Sequence, residues 1–199
     1  MPVNLIFPTP VLSEDFRSLT EEEKDVIYAA KSKIMPNAGN VTSQDTYILE
    51  NPKLLNLKKF FLEKLDLYAT SIIRTKSPIE LYITQSWINY TEPNGFHHKH
   101  IHQNSLLSGV FYIDAEAEDQ IEFYRDDIYP FQFEYEDFDI LNANSWWMPA
   151  AAGRLYIFPS RLVHGVNPTR GKSTRISLSF NTFLKGTLGV TKNLTELKL

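Results

Sequence analysis

Five histidines occur in the chain, and four of them, His97, His98, His100 and His102, stand within six consecutive positions; the fifth is His164. Neutral imidazole is the commonest protein ligand for metal ions. Along an extended segment, side chains two apart project to the same side. His98, His100 and His102 can therefore face one way, while His97, Lys99 and Ile101 face the other. A His-x-His pair joined by a distant His on a neighbouring strand suits a first-row metal ion. The competing reading is a surface cluster without function, but four histidines in six residues favour a metal. Alternation does not say which of them are ligands: 98 with 100 serves as well as 100 with 102.

A second group follows downstream. In the run from Arg175 to Asn181, Arg175, Ser177, Ser179 and Asn181 share one face of a strand, and Ile176, Leu178 and Phe180 share the other. Guanidinium takes a carboxylate through two parallel hydrogen bonds, and a hydroxyl two residues on can add a third. The polar face therefore suits a pocket for an anionic ligand; a half-buried strand with one wet face fits the pattern equally well.

Elements must hold these groups together. Thr20 with Glu23 forms a capping box, with Val26, Ile27, Ala30 and Ile34 on one helical face behind it. Asn51-Pro52 starts a second helix whose apolar stripe runs Leu54, Leu57, Phe61, Leu65, Tyr68, Ile72. From Ile79 the period changes to two. Strands are expected at 79–90, 107–113, 120–124, 131–135, 155–158 and 174–183, separated by turn residues such as Pro93-Asn94-Gly95. Two helices followed by six or more short strands predict an antiparallel sandwich or barrel with helices against one face.

Composition narrows the rest. At 199 residues with 43% apolar and 22% charged, one folded domain is expected and disorder is excluded. Aromatics reach 13%, which suits strands and concave pockets. With no cysteine there is no disulfide framework, thiolate metal site or Cys nucleophile. No secretory signal is visible at the N-terminus and no apolar run approaches about 20 residues, so a membrane is not expected and a cytoplasmic location is. A net charge of −4 argues against nucleic acid as partner. Eleven acidic residues against Arg125 alone lie between Asp114 and Asp139. They are a solvated surface or a rim that attracts a cationic substrate.

The run Gly95-Phe96-His97-x-x-His100-x-His102, then Ser108-Gly109-Val110-Phe111-Tyr112, resembles the signature of a group of 2-oxoglutarate- and Fe(II)-dependent oxygenases common in bacteria and phages. So do Phe158-Pro159-Ser160 leading to His164, and Arg175-Ile176-Ser177-Leu178-Ser179-Phe180-Asn181. The resemblance implies a mainly β fold, a double-stranded β-helix or jelly roll with supporting N-terminal helices. It implies one domain over 1–199: helical support in 1–78, the barrel in 79–184 and a tail in 185–199. It assigns His100, His102 and His164 to Fe(II), Arg175 and Ser177 to 2-oxoglutarate, and Tyr112 and Asn89 to the lining of that pocket. O2 would be the oxidant and hydroxylation of a C–H bond the outcome. The substrate, a small molecule or a protein side chain, is not disclosed, and a homodimer is left open.

One departure stands out. Related oxygenases bind iron with two histidines and a carboxylate in a His-x-Asp/Glu pair, but here that position is His102 and no acid occurs between Glu92 and Asp114. Three imidazoles hold the metal, or Glu92 or Asp114 reaches in from a loop. Two rival functions therefore stay in view: a cupin-like three-His dioxygenase or isomerase that needs no 2-oxoglutarate, and a metal-stabilised binding module without turnover. Tyr129, Phe131, Phe133, Tyr135, Phe138, Trp146 and Trp147 form either a lid over the mouth or part of the core and outer sheet.

Overall fold

The structure is a computed structural model that describes residues 3–125, 131 and 133–199. Its elements in chain order are β1 (Leu12–Asp15), α1 (Glu21–Ala29), β2 (Ile34–Asn37), β3 (Asn40–Ser43), α2 (Leu55–Tyr68), β4 (Ile79–Thr91) and β5 (His97–His100). They continue with β6 (Leu107–Asp114), β7 (Gln120–Tyr124), β8 (Ser145–Pro149), β9 (Arg154–Pro159), β10 (Val163–Val166), β11 (Arg175–Leu188) and β12 (Leu197–Lys198). Two antiparallel sheets result. The larger is ordered β1-β9-β6-β11-β4-β3-β2, with β12 paired to the end of β11, and the smaller is β5-β10-β7-β8. These are the packed antiparallel sheets with helices against one face that the alternation and the two leading helices predict, and together they form the jelly roll that the resemblance implies.

The large sheet is buried on both faces. Ile88, Tyr90, Phe111, Ile113, Leu155, Ile157, Ile176, Leu178 and Phe180 point to one side and meet Leu57, Phe61 and Leu65 of α2. Burying each such side chain stabilises the fold by about 1.5–3 kcal/mol. Phe61 stacks on Phe180 with ring centroids 4.9 Å apart. Phe180 in turn lies over Gly109, where a Cβ would sit 2.1 Å from the ring, so only glycine fits. On the opposite face Val110, Tyr112, Tyr156 and Phe158 pack against Ile121 and Phe123 of the small sheet. Arg175, Ser177 and Ser179 belong to this second face, between the sheets.

The capping box forms in both directions, with Thr20 Oγ1 accepting from Glu23 N–H at 3.3 Å and Glu23 Oε2 accepting from Thr20 N–H at 2.8 Å. Other expectations need correction. Ile34 is not on the α1 stripe but in β2, because a short 3-10 turn over Ala30–Ser32 ends the helix. Likewise the α2 stripe stops at Tyr68, where a π turn over Ala69–Ile73 rotates Ile72 outward to 39% exposed. The first 78 residues, expected as helical support, also contain the three short strands β1, β2 and β3. β11 runs past 184 to Leu188. No strand forms at 131 or 133–135; β8 takes the place beside β7, with Ile121 opposite Met148 and Phe123 opposite Trp146. Asp139 turns the chain ahead of it, its Oδ1 accepting from Leu141 and Asn142 N–H.

Candidate metal centre

Three imidazoles meet between the sheets. β5 and β10 pair antiparallel with His100 opposite His164, and β10 pairs on its other side with β7, which sets Phe123 beside His164. His102 follows β5 in a turn held by its own N–H donating to Ser160 O at 2.9 Å. Ligand-capable nitrogens of His100, His102 and His164 all lie within 4.8 Å of one another. Nε2 of His102 and Nε2 of His164 are 3.2 Å apart. Two nitrogens on one metal ion with bonds of about 2.1 Å would be about 3.0 Å apart at a right angle and about 3.4 Å in a tetrahedron. The spacing observed falls between them.

Backbone carbonyls fix the rings. His100 Nδ1 donates to His98 O at 2.7 Å and His164 Nδ1 donates to Leu162 O at 2.9 Å. A carbonyl only accepts, so the proton sits on Nδ1 and the Nε2 lone pair is left for a metal, the usual support for a ligating histidine. Burial, followed by the charge His100 would carry, holds the His164 pKa down to about 3; the same causes hold His102 at about 4. Burial lowers His100 as well. All three are neutral near pH 7, and no proton competes with a metal for them. Phe158 packs on the His164 ring at 4.7 Å and Trp87 approaches His102 at 5.9 Å, giving the centre aromatic walls.

The residues expected to bind an anion, Arg175, Ser177, Tyr112 and Asn89, line the same cleft. Sheet register places Ser177 opposite Asn89 on one side and Tyr112 on the other, with Arg175 opposite Thr91. Arg175 is 4% exposed, yet its hydrogen bonds are long: Nη1 to Gln120 O at 3.4 Å and Nη2 to Thr91 Oγ1 at 3.5 Å. Its Nε and the Tyr112 hydroxyl are both buried without a partner, and among the described residues no carboxylate pairs with this guanidinium. Buried donors without acceptors are rare in native proteins. A carboxylate-bearing ligand is what these two would satisfy. Asn89 is already engaged, its Nδ2 donating to Ser179 Oγ at 2.9 Å and its Oδ1 accepting from Trp87 Nε1 at 3.2 Å.

Strand alternation misplaced His97. The four residues from His97 to His100 on β5 oppose only three from Val166 to His164 on β10, so β5 carries one extra residue. Such a bulge reverses facing. His97 therefore stacks on His100, ring centroids 4.4 Å apart, and lines the cleft, while His98 is exposed outside it. Gly165 marks the place: a Cβ there would lie 3.1 Å from His97 O. That glycine was the one signal in the sequence. Neither candidate carboxylate reaches the centre. Glu92 accepts from Lys31 Nζ and Thr174 Oγ1, and Asp114 accepts from Tyr28 OH.

Residues 85–181, which include every residue lining the cleft, match the family described as "Putative 2OG-Fe(II) oxygenase". That family uses Fe(II), 2-oxoglutarate and O2. No curated protein sequence matches the chain. Solved structures share the fold at low identity. A prolyl hydroxylase from Trichoplax adhaerens, in complex with a hypoxia-inducible-factor peptide, superposes with TM-score 0.59 at 11% identity, over 87% of this chain and 83% of that one. The α-ketoglutarate-dependent carbocyclase SnoK of nogalamycin biosynthesis gives 0.58 at 16%, over 96% and 89%. An oxidoreductase of the 2OG-Fe(II) oxygenase family from Burkholderia pseudomallei gives 0.57 at 13%, over 86% and 83%.

The exposed aromatics are not core. Phe131, Phe138 and Trp147 are each more than half exposed, and none of the described members lines the cleft; Tyr129 lies outside the described residues. Much of the acidic run is committed to local bonds: Glu116 accepts from Lys172 and Ser173 N–H, and Glu122 from Tyr124 OH and Asn167 Nδ2, while Asp126 and Asp127 lie outside the described residues. Among the described residues no helix is long and apolar enough to cross a membrane.

Proposed function

We propose that the protein is a 2-oxoglutarate- and Fe(II)-dependent dioxygenase that hydroxylates a C–H bond of its substrate. One observation carries the reading: a buried guanidinium with no carboxylate partner among the described residues shares a cleft with three converging imidazoles. His100, His102 and His164 would hold the iron, Arg175 with Ser177 and Tyr112 the far carboxylate of 2-oxoglutarate, and Asn89 would brace the wall through Ser179. When bound, iron and keto acid would activate O2, which is the oxidant: one oxygen atom would leave in succinate as the keto acid is oxidised with release of CO2, and the other would become the product hydroxyl. The protein's own part is to keep three lone pairs free, to anchor the co-substrate by charge-assisted bonds and to exclude water behind Trp87 and Phe158.

A cupin-like site with no keto acid, or a binding module, would leave Arg175 Nε and Tyr112 OH unexplained. The test is to titrate 2-oxoglutarate into the Fe(II)-loaded protein under nitrogen. A weak visible charge-transfer band is expected as the keto acid chelates the iron. Tight iron binding with no band at any 2-oxoglutarate concentration would defeat the reading.

A further inference from the structure

The charge of the cleft does not balance, and this deepens the dioxygenase reading, on which it rests. Among the described residues no Asp or Glu lines the cleft. Asp119, just ahead of β7, does not line it and accepts from Glu116 N–H at 2.9 Å. Imidazoles bind a metal as neutral ligands, so a divalent ion keeps both its charges and Arg175 adds a third. 2-Oxoglutarate, a dianion, cancels two. A site with one carboxylate ligand would come out neutral; this one keeps a single positive charge among aromatic walls, where water screens little.

A hydrogen-bond donor is also left over. Asn37 Oδ1 accepts from Ala38 N–H at 2.9 Å, which turns its Nδ2 towards His97 Nε2, 3.3 Å away. An amide N–H only donates, so His97 Nε2 accepts and the ring proton sits on Nδ1. That Nδ1–H has no partner among the described residues, and its ring lines the cleft against His100.

We propose that the cleft takes one further anionic group together with 2-oxoglutarate, drawn by the residual charge of the three-histidine centre and received by His97. A carboxylate carried by the substrate and a small inorganic anion are two sources of the same chemistry. This runs against the cationic substrate that the acidic run suggested, and none of the described acids of that run lines the cleft.

The test starts from the Fe(II) protein saturated with 2-oxoglutarate under nitrogen. Sodium acetate and sodium chloride are titrated separately at constant ionic strength, reading the charge-transfer band and the thermal midpoint. Wild type should show a saturable change. Acetate acting more strongly than chloride points to a substrate carboxylate, and the reverse to an inorganic ion. His102→Asp supplies the missing charge: one charge within about 4–6 Å changes proton affinity roughly 10- to 1,000-fold, so its anion affinity should fall at least about tenfold on the same scale. His97→Phe keeps the ring stacking and should weaken the anion several-fold while iron and 2-oxoglutarate still bind. The proposal is overturned if neither anion gives a saturable change in wild type, or if both variants respond as wild type does. Should 2-oxoglutarate alone give no band, the dioxygenase reading has failed first, and this proposal with it.

Discussion

Replacing Arg175 by Met separates a structural arginine from a ligand-binding one, because the two roles move stability in opposite directions. This guanidinium is 4% exposed, has no carboxylate partner among the described residues, makes two hydrogen bonds of 3.4 and 3.5 Å and leaves Nε unsatisfied. An unsatisfied buried donor costs about 1–3 kcal/mol, and more when charged. Its approach to the Tyr112 ring, 6.0 Å from the centroid, lies at the limit of a useful cation–π contact and offsets little of this. Methionine keeps an unbranched stem, so Arg175→Met should stabilise the ligand-free protein by about 1–3 kcal/mol. At about 2–4 °C per kcal/mol for a chain of this size, the midpoint should rise roughly 2–12 °C. With ligand the order reverses. Losing a charge-assisted pair weakens 2-oxoglutarate by about 1.5–3 kcal/mol, roughly 10- to 150-fold. At a concentration 100 times the wild-type Kd, 2-oxoglutarate stabilises wild type by about 2.7 kcal/mol, and a variant binding 100-fold more weakly by only about 0.4 kcal/mol. Thermal unfolding of both proteins, loaded with a redox-inert divalent metal and with and without 2-oxoglutarate, reads both effects. A variant that melts below wild type and keeps the full ligand-induced shift would show Arg175 to be a packing residue and refute the reasoning.

Alanine at His100, His102 or His164 should weaken Fe(II) by a decade or more, since even changes to groups that merely support a ligand cost roughly 10–100-fold. His98→Ala, at an exposed ring outside the cleft, should stay within a few-fold of wild type; comparable losses at 98 and 102 by metal titration would reassign the ligands. Gly109→Ala drives a methyl into the Phe180 ring. Such overpacking costs about 1–3 kcal/mol, and an unchanged melting midpoint would show that the Phe61–Phe180 stack yields more readily than its geometry suggests.

The sequence by itself determined whatever depends on neighbours along the chain. The alternation from Arg175 to Asn181 separated the faces of β11, because a strand side chain's direction follows from its backbone alone; Ile176, Leu178 and Phe180 went to the helices and Arg175, Ser177 and Ser179 to the cleft. Thr20 and Glu23 set the start of α1 for the same local reason. Tertiary structure decided what depends on partners distant in sequence. An extra residue on β5 opposite Gly165 turned His97 into the cleft and left His98 outside, and alternation cannot count a residue that only pairing with β10 makes extra. The place beside β7 went to β8, since strands of similar propensity are chosen by the neighbours they pack on. Glu92 or Asp114 reaching in from a loop stayed open on the sequence as the alternative to three imidazoles, and Lys31, Thr174 and Tyr28, from elsewhere in the chain, engage them instead. Arg175 shows the limit most clearly. Its type and face were legible, but that none of the described acids pairs with it is a property of the packed arrangement, and that unmet charge is what the functional reading rests on.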